Sequence, residues 1–403
     1  MNVSWNACIL IQVVKTPHDS YYYCGVFFVG QKKKVEFHTY RYMLNKLRDK
    51  DLILDSDFLS IEILKSRGYY NLINRYKSEF SKEDNLHFEE NVHITDLYYY
   101  HRVEDDLRNI LFKFTINFEQ IFKESMAYII SKDIGVETDQ YLDFSNYRNY
   151  TKARKITKFI SHQMEKCTVN PTLYYKKEYG DVPPWILLNN LTMGQTRMYF
   201  SIFPLKLTTY VVEQLLPMQD AMPSAHKNLS DFVFNEVLRY RPTDNLNEAD
   251  FEKLEERSKM EMIELTRDMI SIIVDFRNNL AHGSRLIHFT SRQSLNHDAL
   301  RIFASNKVFS DSEFYSQGIG KNDLFSFIIS LIILMDKFDS LYLIDQLDAW
   351  QKNNTRTQLS KQAFYHFLKS CNLAPDFISR LKKITIDKTG KQQNEEFNRR
   401  FDL

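Results

Sequence analysis

Residues 97–131, LYYYHRVEDDLRNILFKFTINFEQIFKESMAYIIS, decide the fold class of this chain. Val103, Leu107, Ile110, Leu111, Phe114, Phe118, Ile121 and Phe122 recur at steps of three and four, the spacing of one helix face. No Gly or Pro interrupts the stretch. Opposite-sign neighbours such as Asp105 and Arg108 decorate its wet side. Such a helix is the spine of a bundle, and Gly135 marks the break after it.

The flanks keep the same period. Met43, Leu44 and Leu47 fit one amphipathic face, and Asp57 suits the N-cap of a second helix that Gly68 ends. Pro183-Pro184-Trp185 starts another helix, which Gly194 ends or bends. Asn247 or Asp250 caps a helix in which Met262, Met269, Ile273, Phe276 and Leu280 keep the spacing. Leu324 to Leu347 is strongly apolar and helical; Phe364 to Leu368 and Phe377 to Leu381 read as small helices. Residues 219–250 and 291–320 read as loop-rich. Residues 1–35 differ: the β-branched and aromatic runs Ala7 to Val14 and Tyr21 to Val29 flank a turn. The expected architecture is all-α, a multi-helix bundle with a small β-hairpin-like extension over 1–35. An N-terminal helical region (36–90), a helical core (91–350) and a helical C-terminal tail (351–403) follow.

The composition agrees. Ten Gly and 9 Pro stand against 30 Phe and 24 Tyr in 403 residues, so breakers are scarce and thick aromatic packing is available. A net charge of +1 supplies no global field, so any anionic partner must be met by local patches. The four cysteines (Cys8, Cys24, Cys167, Cys371) show no metal-ligand spacing and read as reduced thiols of a cytoplasmic protein. The N-terminus lacks a signal-peptide layout. The longest apolar run, around Phe325 to Met335, is about half of the roughly 20 residues a membrane span needs. A membrane partner is therefore not expected. Gly-rich phosphate loops, His-Glu-x-x-His, Asp-rich calcium loops and Gly-x-Ser-x-Gly are lacking, so neither a metal nor a cofactor is expected.

Chemistry concentrates at Asp275-Phe276-Arg277-Asn278-Asn279-Leu280-Ala281-His282-Gly283. Asn278 and His282 are i and i+4 on a shared face, and Arg277 lies about 100° round the helix from Asn278. Two readings fit. Basic residues in a last turn followed by Gly make an ordinary helix stop. The same residues suit metal-free RNA cleavage: histidine moves protons near neutral pH, arginine holds phosphate oxygens, and asparagine orients a ring or hydroxyl. One helix presents one Arg and one His, so two copies across a two-fold axis would double each.

Basic residues elsewhere supply candidate RNA contacts. Arg148, Lys152, Arg154, Lys155, Lys158 and Lys166 face a single acid, Glu165, between Asn146 and Lys166, with Tyr147 and Tyr150 interleaved. Arg75 and Lys77 stand in the tyrosine-rich Gly68 to Lys77, and Arg285 lies just past the motif. A solvated helix face explains the basic run equally well.

Four blocks then occur in a familiar order: Gly68-Tyr69-Tyr70-Asn71-Leu72-Ile73-Asn74-Arg75-Tyr76-Lys77, Leu107-Arg108-Asn109-Ile110-Leu111-Phe112-Lys113, Pro183-Pro184-Trp185-Ile186-Leu187, and Arg277 through Leu286. In this the chain resembles the Abi-like proteins of the AbiD/AbiF abortive-infection type, bacterial anti-phage proteins of the HEPN superfamily, over roughly residues 36–350. The resemblance implies an all-α HEPN-like core, a homodimer with a composite site, and a metal-independent endoribonuclease toxin. It also implies RNA partners, the substrate and a small non-coding RNA. By position it carries Arg277 and His282 over as catalytic, with Asn278 as accessory. The family often has a second His directly after the first, where this chain has Gly283. The alternative within the same resemblance is an RNA-binding HEPN protein that does not cut.

Overall fold

A computed structural model describes residues 36–216, 228–238 and 246–389, so the hairpin expected over 1–35 lies outside the described residues. The described part opens with α1 (Tyr40–Arg48) and α2 (Asp57–Arg67), then a π-helical turn (Tyr70–Asn74) that runs straight into α3 (Arg75–Phe80). The long helix is α4 (Ile94–Asp133). After it come α5 (Thr138–Tyr141), α6 (Tyr150–Lys166), α7 (Thr172–Glu178), α8 (Pro184–Asn190), α9 (Met193–Phe200) and α10 (Leu205–Leu215). Short α11 (Leu229–Phe232) precedes the second long helix, α12 (Glu248–Ala281). The remainder is α13 (His297–Leu300), α14 (Asp311–Gln317), α15 (Leu324–Leu334), α16 (Lys337–Asn354), α17 (Gln358–Ser370) and α18 (Phe377–Thr389). The protein is all-α. Among the described residues extended pairing is limited to two isolated bridges, Ile53 with His93 and Ser81 with Phe88.

The 40 residues of α4 span about 60 Å at 1.5 Å per residue, enough to touch most of the bundle. Its buried stripe runs Leu97, Tyr100, Val103, Leu107, Leu111, Phe114, Phe118, Phe122, Met126, the three-and-four spacing of the sequence. Helices α8, α10, α16 and α17 pack along it, with α12 and α15 beside them. Burying each large apolar side chain contributes roughly 1.5–3 kcal/mol. One continuous core runs from Leu44 to Ile384 and therefore includes α17 and α18. Trp350 fastens α16 to the spine by donating from Nε1 to the Val103 carbonyl at 3.0 Å.

Local differences from the sequence reading have simple causes. Ser56, one residue before Asp57, caps α2 by accepting from the Leu59 amide at 3.1 Å. Gly194 neither ends nor bends α8; it sits in the first turn of α9, which Thr192 caps. The apolar stretch from Leu324 is two helices, because Asp336 caps α16 directly after α15. Asn247 is the cap of α12.

A candidate nucleic-acid site at the end of α12

Helix α12 stops by a Schellman turn. Gly283 takes φ +68°, its amide donates to the Leu280 carbonyl at 3.2 Å, and the Ser284 amide donates to the Asn279 carbonyl at 3.0 Å. A Cβ at Gly283 would meet only ordinary van der Waals contact, with Arg108 Nη2 at 3.8 Å, so glycine is required by the left-handed backbone and not by space. A side chain with a Cβ would be strained here, a physical reason for glycine at this position.

Arginines from two other helices grip this turn. Arg75 Nη1 donates to the Gly283 carbonyl at 2.8 Å; Arg108 donates from Nη1 to Ser284 at 2.5 Å and from Nη2 to Leu280 at 3.0 Å. Arg285 returns the contact by donating from Nη1 to the Arg75 carbonyl at 2.8 Å. Beneath them lies the fully buried carboxylate of Glu104, which accepts from Tyr76 Oη and the Leu286 amide and lies 3.4 Å from Arg75 Nη2. A carboxyl group so deep needs these partners. Burial and the Glu104 carboxylate push the Tyr76 hydroxyl well above its ordinary pKa.

The result is a polar cavity of about 340 Å³. The π-helical turn and α3 contribute Asn71, Arg75 and Tyr76; α4 contributes His101, Asp105 and Arg108; the end of α12 contributes His282 and Gly283. π-helical turns are uncommon and recur at functional sites, and this one brings Asn71 and Arg75 to the same wall. His282 is exposed at the rim. His101 is half-buried, with its ring edge-on to Tyr76 at 5.8 Å, and burial lowers its pKa.

Arg277 and Asn278 do not line this cavity. Arg277 Nε lies 3.2 Å from Glu119 Oε2, and Glu119 Oε1 lies 2.7 Å from Lys123 Nζ, which also donates to the Leu191 carbonyl at 2.6 Å. Arg277 is thereby tied through α4 to the end of α8, the helix that Pro183-Pro184-Trp185 begins. Asn278 is half-buried, and its carbonyl accepts from the His282 amide at 3.0 Å. Asp275 anchors the following loop, accepting from Ser291 Oγ at 2.8 Å.

The other basic residues lie elsewhere. Lys152, Arg154, Lys155 and Lys158 are exposed on α6. Arg154 and Lys158 border an open groove of about 640 Å³ beside Asp139 and Asp143. Arg148 donates to the Ser201 carbonyl, and Lys77 Nζ to the Asn85 carbonyl at 2.5 Å. Among the described residues no three His, Cys, Asp or Glu side chains converge as a metal site, and no helix is long and apolar enough to cross a membrane.

Sequence reasoning missed His101, Glu104 and Asn71. The available signal was a polar stripe, His101, Asp105 and Arg108 at i, i+4 and i+7, along one side of α4.

Comparison with known families adds one match: the Abi-like protein family covers residues 62–288, more than half of the chain. The chain belongs to the Abi-like family. No curated protein and no solved structure matches it. The matched span holds every cavity residue, from Asn71 to Gly283, and ends just past Leu286. Membership in the Abi-like family points to abortive infection, a defence against phage.

Proposed function

We propose that this Abi-like chain is an HEPN-type, metal-independent endoribonuclease of the AbiD/AbiF kind, a toxin that restricts phage by cutting RNA. The observation that carries the reading is the convergence of three separated segments, around Arg75, Arg108 and His282, on one polar cavity at the end of α12. A ligand phosphate entering there meets guanidinium groups, and His282 stands open at the rim to move a proton. Attack of the 2′-hydroxyl on phosphorus then releases a 5′-hydroxyl and leaves a 2′,3′-cyclic phosphate.

In this reading Arg277 and Asn278 act from a second copy across a homodimer interface, or Arg277 exchanges Glu119 for phosphate. The exposed basic face of α6 and Arg285 hold the RNA backbone, and a small non-coding RNA is a regulatory partner. The site is cytoplasmic in setting and uses no cofactor. The engagement of Arg277 with Glu119 favours a second reading, an HEPN protein that holds RNA without cutting it. Wild type, Arg277→Ala and His282→Ala are compared on single-stranded RNA with chelator present. Cutting by wild type, with a loss of at least about 100-fold in His282→Ala, supports the enzyme. Equal binding without cutting by all three selects the second reading.

A further inference from the structure

We propose that His101 is the second proton-transfer group of the cavity, working with His282 of the same chain on a phosphodiester of RNA. This rests on the ribonuclease reading above. The two histidines come from different helices and line one cavity with Arg75 and Arg108, so a ligand phosphate there is within a single protomer's own cationic wall.

Three features separate His101 from a histidine that merely packs. It faces a cavity and not the apolar core, in which its helix neighbours Tyr100 and Val103 are buried. Its Nδ1 is buried with no hydrogen-bond partner among the described residues, an arrangement a packing histidine ordinarily avoids. The Tyr76 ring stands edge-on to it and limits its rotation, while Tyr76 Oη is held by Glu104.

The roles follow from the environments. Burial is the largest influence on His101; Arg67 from α2 and Arg75 from α3 also oppose its protonation, while Asp105 and Glu104 on α4 favour it. The net effect keeps the ring neutral near pH 7, the form a base needs. In the cleavage step the O2′–P bond forms and the P–O5′ bond breaks. The 2′-hydroxyl proton passes to the His101 imidazole, and the departing 5′ oxygen takes a proton from the His282 imidazolium. One chain thus supplies both proton positions, and the second copy is left to contribute charge.

The test uses the full-length protein with labelled histidines. A single-stranded oligodeoxyuridylate, which lacks the attacking hydroxyl, is titrated in while the imidazole resonances are followed. His101 and His282 are expected to move together along the same binding curve; a His101 signal unmoved at saturation overturns the proposal. In cleavage assays His101→Gln is expected to lose about 100-fold in rate, with oligonucleotide affinity unchanged. It is also expected to flatten the acid limb of the pH–rate profile, which a merely structural role leaves in place. A wild type that cuts RNA and a His101→Gln variant that cuts as well defeats the His101 role alone. A wild type that cuts no RNA defeats the ribonuclease reading, and the proton-transfer role with it.

Discussion

Arg277 Nε lies 3.2 Å from Glu119 Oε2, so the arginine of the Arg-Asn-x-x-x-His segment is held against the spine helix and not turned toward His282. The pair is mostly shielded, with side-chain exposures of 22% and 10%, and Lys123 completes it. Helix geometry agrees: five residues separate Arg277 from His282, about 140° round the axis. As placed here the two side chains do not converge within one chain, which favours Arg277 acting on a different site from its own His282.

A mixed dimer tests that division. Co-expressed Arg277→Ala and His282→Ala chains, purified as the heterodimer by two tags, rebuild one intact site if Arg277 acts across the interface. Activity near half of wild type is then expected in an RNA cleavage assay. A heterodimer as inactive as either homodimer means that Arg277 works in its own chain.

Glu104 is the keystone under the turn. Glu104→Ala removes the acceptor for Tyr76 and the Leu286 amide and leaves Arg75 without its carboxylate. Loss of one partner from a buried charged network costs about 3–5 kcal/mol, so urea unfolding is expected to show a change of that size. Glu104→Gln keeps an acceptor and is expected to lose less. A change below about 1 kcal/mol for the alanine variant would mean that the network is not coupled to folding.

The basic face of α6 is read through salt dependence. Lys152, Lys155 and Lys158 are exposed, and replacing all three with Ala is expected to weaken single-stranded RNA binding at low salt. Each phosphate contact removed lowers the slope of log affinity against log salt by about 0.7, so a drop near 2 is predicted if all three contact the backbone. An unchanged slope returns α6 to a solvated face.

Stability is expected to fall as pH drops from about 7.5 to about 6. Burial holds the pKa values of His101 and His366 below the ordinary histidine value. The unfolded chain therefore takes up protons near pH 6.5 that the folded chain refuses, at a cost of up to roughly 0.8 kcal/mol per histidine over this interval. Asp268 and Asp323, pushed up to about 6 by burial, act oppositely: the folded state takes up their protons as pH falls through about 6, which offsets roughly 0.4 kcal/mol each by pH 6. Urea unfolding at the two pH values measures the sum, and His101→Gln with His366→Gln is expected to shrink the loss.

Much of the fold was legible because it is local. The spine declared itself through Val103, Leu107, Leu111, Phe114, Phe118 and Phe122, which share one face of an uninterrupted helix. The stop at Gly283 was legible for the same reason, and the capping and functional readings of that turn are compatible: the cap is what presents His282. The partner of Arg277 was not legible, since Glu119 lies 158 positions away. His101 was passed over because its neighbours Arg75, Tyr76 and His282 come from other helices. The break at Met335 was hidden because apolar periodicity continues through it, and only the Asp336 cap separates α15 from α16.

The central claim, RNA cleavage at His282, is tested most directly by the chemistry of the ends. Purified wild type and His282→Ala are incubated with a single-stranded RNA and chelator, and the fragments are weighed by mass spectrometry. Fragments ending in a 2′,3′-cyclic phosphate with a matching 5′-hydroxyl, formed by wild type and not by His282→Ala, are predicted. Intact RNA, 5′-phosphate ends, or the same fragments from both proteins would contradict it.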